Sequence, residues 1–139
     1  MEVPTILVVD DEAHIRQVVS LKLQNAGFTI ITARDGDEAL EVALATHVDL
    51  VLTDFQMPGP TGLELAQRLH GEAGKRDIPI ILLTAHGLGI EPVELAQAGI
   101  ACCISKPFSP REILAKVNSL LNRADANSSS CEKSSQPLG

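Results

Sequence analysis

Four places in the sequence set residues capable of phosphorus or metal chemistry at the end of an apolar run. Asp10 and Asp11 follow Ile6-Leu7-Val8-Val9, Asp54 follows Leu50-Val51-Leu52-Thr53, Thr84 follows Ile80-Ile81-Leu82-Leu83, and Lys106 follows Ile104-Ser105. Carboxylates a few ångströms apart repel, and each disfavours ionisation of the others, so such a cluster asks for a cation. A hard oxygen donor set with no His or Cys in it suits Mg²⁺, which keeps several waters and uses one or two carboxylates together with a substrate phosphate. One carboxylate then stays free to attack phosphorus and form an aspartyl phosphate, while a lysine and a hydroxyl face the transferring oxygens.

The elements that must bring these residues together are five short apolar runs, Thr5–Val9, Phe28–Ala33, Asp49–Thr53, Ile78–Thr84 and Ile100–Ile104. Several are apolar at consecutive positions, which is the pattern of a strand covered on both faces and hence of a parallel sheet. Between and after them lie helical stripes, among them Ile15, Val18, Val19, Leu23 and Ala26, and Ile113, Leu114, Val117, Leu120 and Leu121. Asp35 with Glu38, Thr61 with Glu64, and Ser109-Pro110 with Glu112 have the spacing of capping boxes. The stretch from His86 to Ala98, which contains Gly87, Gly89 and Pro92, carries the weakest helical pattern and is expected to be the most mobile. Strand and helix alternate, so the expected fold class is α/β, a doubly wound five-stranded parallel sheet with helices on both faces. Sites in such sheets form beyond the carboxyl ends of the strands where strand order reverses, which is where the acids, Thr84 and Lys106 fall.

At 139 residues the chain holds one domain, expected over residues 1–124, and the Ser-rich polar stretch 125–139 reads as a disordered tail. Eleven Lys and Arg against 18 Asp and Glu give a formal charge of -7, which disfavours direct nucleic-acid binding. Trp and Tyr are absent and Phe28, Phe55 and Phe108 are the only aromatics, so platforms for stacking bases are lacking as well. No apolar run approaches a membrane span and the first residues have no basic-then-apolar leader, so membrane insertion is not expected. Cys102, Cys103 and Cys131 are odd in number and have no CxxC spacing, which fits a reducing, cytoplasmic setting. Cys102 and Cys103 are expected to be small buried or half-buried residues, and Met57 to pack in a loop. His14, His47, His70 and His86 show no metal-site spacing; His86, two residues past Thr84, lies at the rim of the expected site.

In order and spacing, Ile6–Glu12, Asp49–Gly59, Leu83-Thr84-Ala85 and Lys106-Pro107-Phe108 resemble the receiver domain of two-component response regulators, and are similar to the stand-alone chemotaxis-type members. The resemblance covers Thr5 to Leu121 and implies a flavodoxin-like (βα)5 fold with strand order 2-1-3-4-5. It implies that Asp54 accepts phosphoryl, that Asp11 and Asp10 hold Mg²⁺ directly and through water, and that Gln56 ligates the metal with its backbone carbonyl. Thr84 then matches the switch hydroxyl, Lys106 the phosphate-facing lysine, and the Lys106-Pro107 peptide bond is implied to be cis. The implied partners are a sensor histidine kinase or histidine phosphotransfer protein upstream and an unnamed protein target downstream.

Two positions depart from the family pattern. Thr61 stands where Asp is common and keeps the N-cap, and Cys103 stands where an aromatic residue usually reads out the switch hydroxyl. A phosphohydrolase on the same type of sheet is a second reading, but Asp10-Asp11-Glu12 lacks the Asp-x-Asp that such enzymes resemble, and no GxxxxGK or GxGxxG supports a nucleotide binder. A third reading, a scaffold that binds partners without phosphorylation, is expected to show a broken acid set or a missing lysine. Output is expected through contact with another protein, unless the chain is part of a longer regulator or hybrid kinase.

Overall fold

The computed structural model describes residues 3–85 and 90–121. Five strands alternate with five helices: β1 (Thr5–Val9), α1 (Ala13–Asn25), β2 (Thr29–Ala33), α2 (Gly36–Ala45), β3 (Leu50–Asp54), α3 (Gly62–His70), β4 (Ile80–Thr84), α4 (Pro92–Ala98), β5 (Ile100–Ser105) and α5 (Pro110–Leu121). The strands are parallel in the order β2-β1-β3-β4-β5. The chain leaves β1 for one edge and returns to β3 on its other side, so the order reverses between β1 and β3.

All five residues of β3 and of β4 are buried, as runs of consecutive Leu, Val and Ile require once helices cover both faces. One face of the sheet packs Ile6, Val8, Leu50, Leu52, Ile81 and Leu83 against α1 and α5. The other packs Leu7, Val9, Val51 and Ile80 against α2, α3 and α4. Each such side chain contributes about 1.5–3 kcal/mol by leaving water, so the strands that carry the acids are the most firmly held part of the fold.

Several strand ends shift from the sequence expectation. Phe28, Asp49, Ile78 and Pro79 precede their strands, whereas Asp54 and Ser105 are the last residues of β3 and β5. The β4–β5 ladder slips between Ile80 and Ile81, where Ile81 pairs with Cys102 and leaves Ala101 unmatched. Thr61 and Glu64 form the full capping box at α3. At α2 the Asp35 carboxylate accepts from the Glu38 amide, but the Glu38 side chain accepts from the Arg34 amide, so the box does not close. Ser109 accepts from Glu112 N–H. Glu94 accepts from Glu91 N–H at the start of α4, a cap the sequence pattern did not suggest. Cys102 is half-buried as expected, but Cys103 is exposed, as are Ala101 and Ser105, the other odd positions of the edge strand β5. Of the His86–Ala98 stretch, residues 92–98 form α4, and His86 to Gly89 lie outside the described residues, as does the 125–139 tail. No helix among the described residues is long and apolar enough to cross a membrane.

Candidate functional site

Asp10, Asp11 and Asp54 meet at the point where strand order reverses, with one ligating oxygen from each within 4.8 Å of the other two. Asp10 has no exposed surface, Asp54 and Thr84 are each 6% exposed, and Asp11 is open to solvent. The Asp54 carboxylate is carried by the fully buried β3, and Phe55 N–H donates to the Leu83 carbonyl at 2.8 Å, which ties the end of β3 to the end of β4. Gly62 N–H donates to the Phe55 carbonyl at 2.9 Å, and a Cβ at Gly62 would lie 2.5 Å from the Asp54 carbonyl oxygen. Glycine is what lets α3 start this close to the strand that ends in Asp54.

The cation of the cluster is Lys106. Its Nζ lies 3.1 Å from Asp54 Oδ1 and 3.9 Å from Asp10 Oδ2. Lys106 N–H donates to the Thr84 carbonyl at 2.7 Å, so the lysine backbone is anchored to the end of β4, and the Lys106-Pro107 bond is cis as expected. Three carboxylates against one ammonium leave the cluster short of positive charge. Burial pushes the Asp10 carboxyl up to about 6, opposed by the Glu12 amide and reinforced by the charge of Asp54. Burial likewise raises Asp54, opposed by Lys106. Burial pulls the Lys106 ammonium down, but its hydrogen bond to Asp54 and the charges of Asp54 and Asp10 outweigh that and hold it above the usual lysine range.

The donor set fits a hard dication. Asp10 Oδ2 is buried with no hydrogen-bond partner, and it sits among oxygens close enough to share one ion. An orphaned buried carboxylate oxygen is costly, and a cation is what would satisfy it.

Thr84 Oγ1 lies 3.7 Å from Cys103 Sγ, so its hydrogen-bond partner is a thiol on the neighbouring strand. Gln56 is exposed two residues past Asp54, on the connection to α3. Burial pushes the Cys102 thiol up, which leaves it unreactive by character. The structure thus gathers Asp10, Asp11, Asp54 and Lys106, and sets Thr84 on the adjoining strand with Cys103 beside it. His86 lies outside the described residues.

Residues 6–118 match the response regulator receiver domain family. The chain belongs to that family. It is 41% identical over 119 residues to the phosphate regulon transcriptional regulatory protein PhoB of Pseudomonas aeruginosa, covering 86% of this chain and 52% of that protein. It is 42% identical over 123 residues to the transcriptional regulatory protein ResD of Bacillus subtilis, covering 88% and 50%. The chain therefore spans about half the length of these curated relatives. Among solved structures it is similar to the chemotaxis response regulator CheY4 of Vibrio cholerae, with 33% identity, a TM-score of 0.79 and coverage of 84% of this chain and 98% of that one.

This receiver domain has two site-shaping residues that sequence reasoning passed over. Gly62 is one; the signal was a glycine directly after an N-cap, where a helix must approach a strand end. Arg16 is the other, and its Nη1 donates to the Asp10 carbonyl at 2.7 Å. No local sequence pattern marks it, because the contact runs from the first turns of α1 back to the end of β1.

Proposed function

We propose that this receiver domain is a phosphoryl-accepting switch of a two-component system, with Asp54 as the acceptor. The observation that carries this is a buried carboxylate at a strand end, 3.1 Å from a lysine ammonium and grouped with two further acids. In the proposed reaction an Asp54 oxygen attacks phosphorus, the bond from phosphorus to the donor's imidazole nitrogen breaks, and the donor's histidine leaves with that electron pair. The donor is a sensor histidine kinase or a histidine phosphotransfer protein. Lys106 neutralises charge on the transferring oxygens, and the Thr84 hydroxyl is placed to donate to one of them. Asp10, Asp11, Asp54 and the Gln56 carbonyl would hold Mg²⁺. Bound there, Mg²⁺ supplies charge neutralisation for the acids and for the developing phosphoryl oxygens.

The chain turns over no separate substrate in this reading; it assists its own phosphorylation and dephosphorylation. Residues 1–124 form the receiver unit in this reading, and residues 125–139 a tail that adds little to it. Its setting is cytoplasmic, and its output is contact with a protein target rather than with nucleic acid. The complete acid set and the lysine favour this over a phosphorylation-independent scaffold. Incubation with a small phosphodonor and Mg²⁺ tests it: intact-mass measurement is expected to show one added phosphoryl group on the wild type and none on Asp54→Ala. Equal labelling of both would move the acceptor elsewhere, and no labelling of either would remove the phosphoryl reading.

A further inference from the structure

Asp10 has four polar groups, and three of them are committed. Its N–H donates to the Ala33 carbonyl at 3.2 Å, its Oδ1 accepts the Glu12 N–H at 3.0 Å, and its carbonyl accepts from Arg16 Nη1 at 2.7 Å. Only Oδ2 is left over, buried and without a hydrogen-bond partner, in the three-acid cluster. Of the three partners, Ala33 and Glu12 contribute backbone and Arg16 contributes a side chain.

The carbonyl that Arg16 holds belongs to the planar peptide that joins Asp10 to Asp11. Fixing that plane fixes the last backbone torsion of Asp10 and the first of Asp11, and so the relative aim of the two side chains. The bond is short, has a charged donor and is partly buried, which places it among the stronger hydrogen bonds of a protein. Arg16 is itself rooted, since its N–H donates to the Glu12 carbonyl at 3.1 Å in the first turn of α1. We propose that Arg16 is a positioning residue for the Asp10-Asp11 pair, holding the turn between β1 and α1 in the geometry that points both carboxylates at a shared cation. The proposal rests on the reading of this cluster as a Mg²⁺ site.

The sign of the effect separates positioning from charge. If Arg16 acted only as a nearby cation, removing it would strengthen Mg²⁺ binding, because like charges repel. If it positions the turn, removing it weakens binding. Calorimetric titration of MgCl₂ into the full chain near neutral pH tests this with wild type, Arg16→Lys and Arg16→Met. Loss of a hydrogen-bonding partner behind metal ligands typically costs at least an order of magnitude in affinity, so Arg16→Met is expected to bind Mg²⁺ about tenfold more weakly. Arg16→Lys retains a charged donor and is expected to stay within about threefold of wild type. A metal-free readout accompanies this: amide exchange at Asp11 and Glu12 is expected to quicken in Arg16→Met and not in Arg16→Lys. Circular dichroism establishes that each variant is folded, and should Arg16→Met fail to fold, Arg16→Gln takes its place with the same sign expected. A wild type that binds Mg²⁺ beside a methionine or glutamine variant that binds equally or more tightly overturns the proposal alone. A wild type that binds no Mg²⁺ overturns the reading of the metal site and the proposal with it.

Discussion

Lys106 and Asp54 form the ion pair on which the charge balance of the site turns: Nζ and Oδ1 are 3.1 Å apart, with Asp54 ending the fully buried β3 and Lys106 following β5 on the far side of β4. A single ammonium thereby faces Asp54 and the orphaned oxygen of Asp10 together. Removing the half-buried lysine leaves the buried Asp54 carboxylate without its cation, which costs more than the pair itself contributes. Lys106→Met is therefore expected to destabilise the metal-free chain by about 1–3 kcal/mol near pH 8. The loss should be smaller at pH 5, where the Asp10 carboxyl, at about 6, holds a proton, and burial moves the Asp54 carboxyl in the same direction. Urea denaturation at the two pH values checks it, and a pH-independent loss would show that the methionine acts through packing.

The Asp10 carboxyl sets the direction of a pH dependence. It ionises at 3.8 in an unfolded chain and at about 6 in the folded one, so the folded state holds its proton more tightly. Stability contributed by this group is complete below about pH 4 and falls as pH rises to about 6, by up to about 3 kcal/mol. Millimolar Mg²⁺ is expected to offset the fall above pH 6, because it binds the ionised native state, and its affinity should drop as pH falls below 6. Thermal melts across pH 4–8 with and without MgCl₂ measure both effects; identical curves would exclude the ion from Asp10.

Gly62 allows α3 to begin against the end of β3. A Cβ there would lie 2.5 Å from the Asp54 carbonyl, 2.6 Å from Leu82 Cδ1 and 3.2 Å from Phe55 Cα. Two of these contacts are backbone and Leu82 is fully buried, so neither side yields easily. Gly62→Ala is expected to cost about 1–3 kcal/mol and to weaken Mg²⁺ binding by moving the carrier of Asp54. Chemical denaturation and Mg²⁺ titration of the variant read the two effects separately.

His70 and Gly99 make a second close fit, away from the acids. The His70 ring contacts the Ala98 carbonyl through Nδ1 at 3.0 Å and the Ile78 carbonyl through Nε2 at 2.8 Å, which ties α3 to the end of α4 and the approach to β4. Gly99 has φ +75°, and a Cβ on it would lie 2.5 Å from His70 Nδ1. Gly99→Ala is expected to cost about 1–3 kcal/mol, and less in a His70→Ala background, where the backbone strain remains but the clash is gone. A double-mutant cycle in urea checks it; strict additivity would mean that the ring and the turn do not meet.

How much of this was legible in the sequence depended on whether the signal was local. The runs of three or four consecutive apolar residues in β1, β3 and β4 announced strands covered on both faces, because a strand with one solvated face alternates apolar and polar residues. Thr61 with Glu64 announced the start of α3, since cap chemistry involves residues three apart. The acids, Thr84 and Lys106 were legible as a group because each ends or follows such a run. Tertiary structure alone decided which groups meet across elements. Glu38 caps the Arg34 amide instead of closing its box, Cys103 is exposed on the edge strand β5, and Arg16 reaches back to hold the Asp10 carbonyl. The ring of His70 against Gly99, 29 positions away in the chain, belongs to the same class. Hydrophobic period and capping depend on near neighbours in the chain, so composition and spacing reveal them. Contacts between separate elements depend on how helices settle onto the sheet, a balance of packing over the whole core that no short stretch of sequence contains.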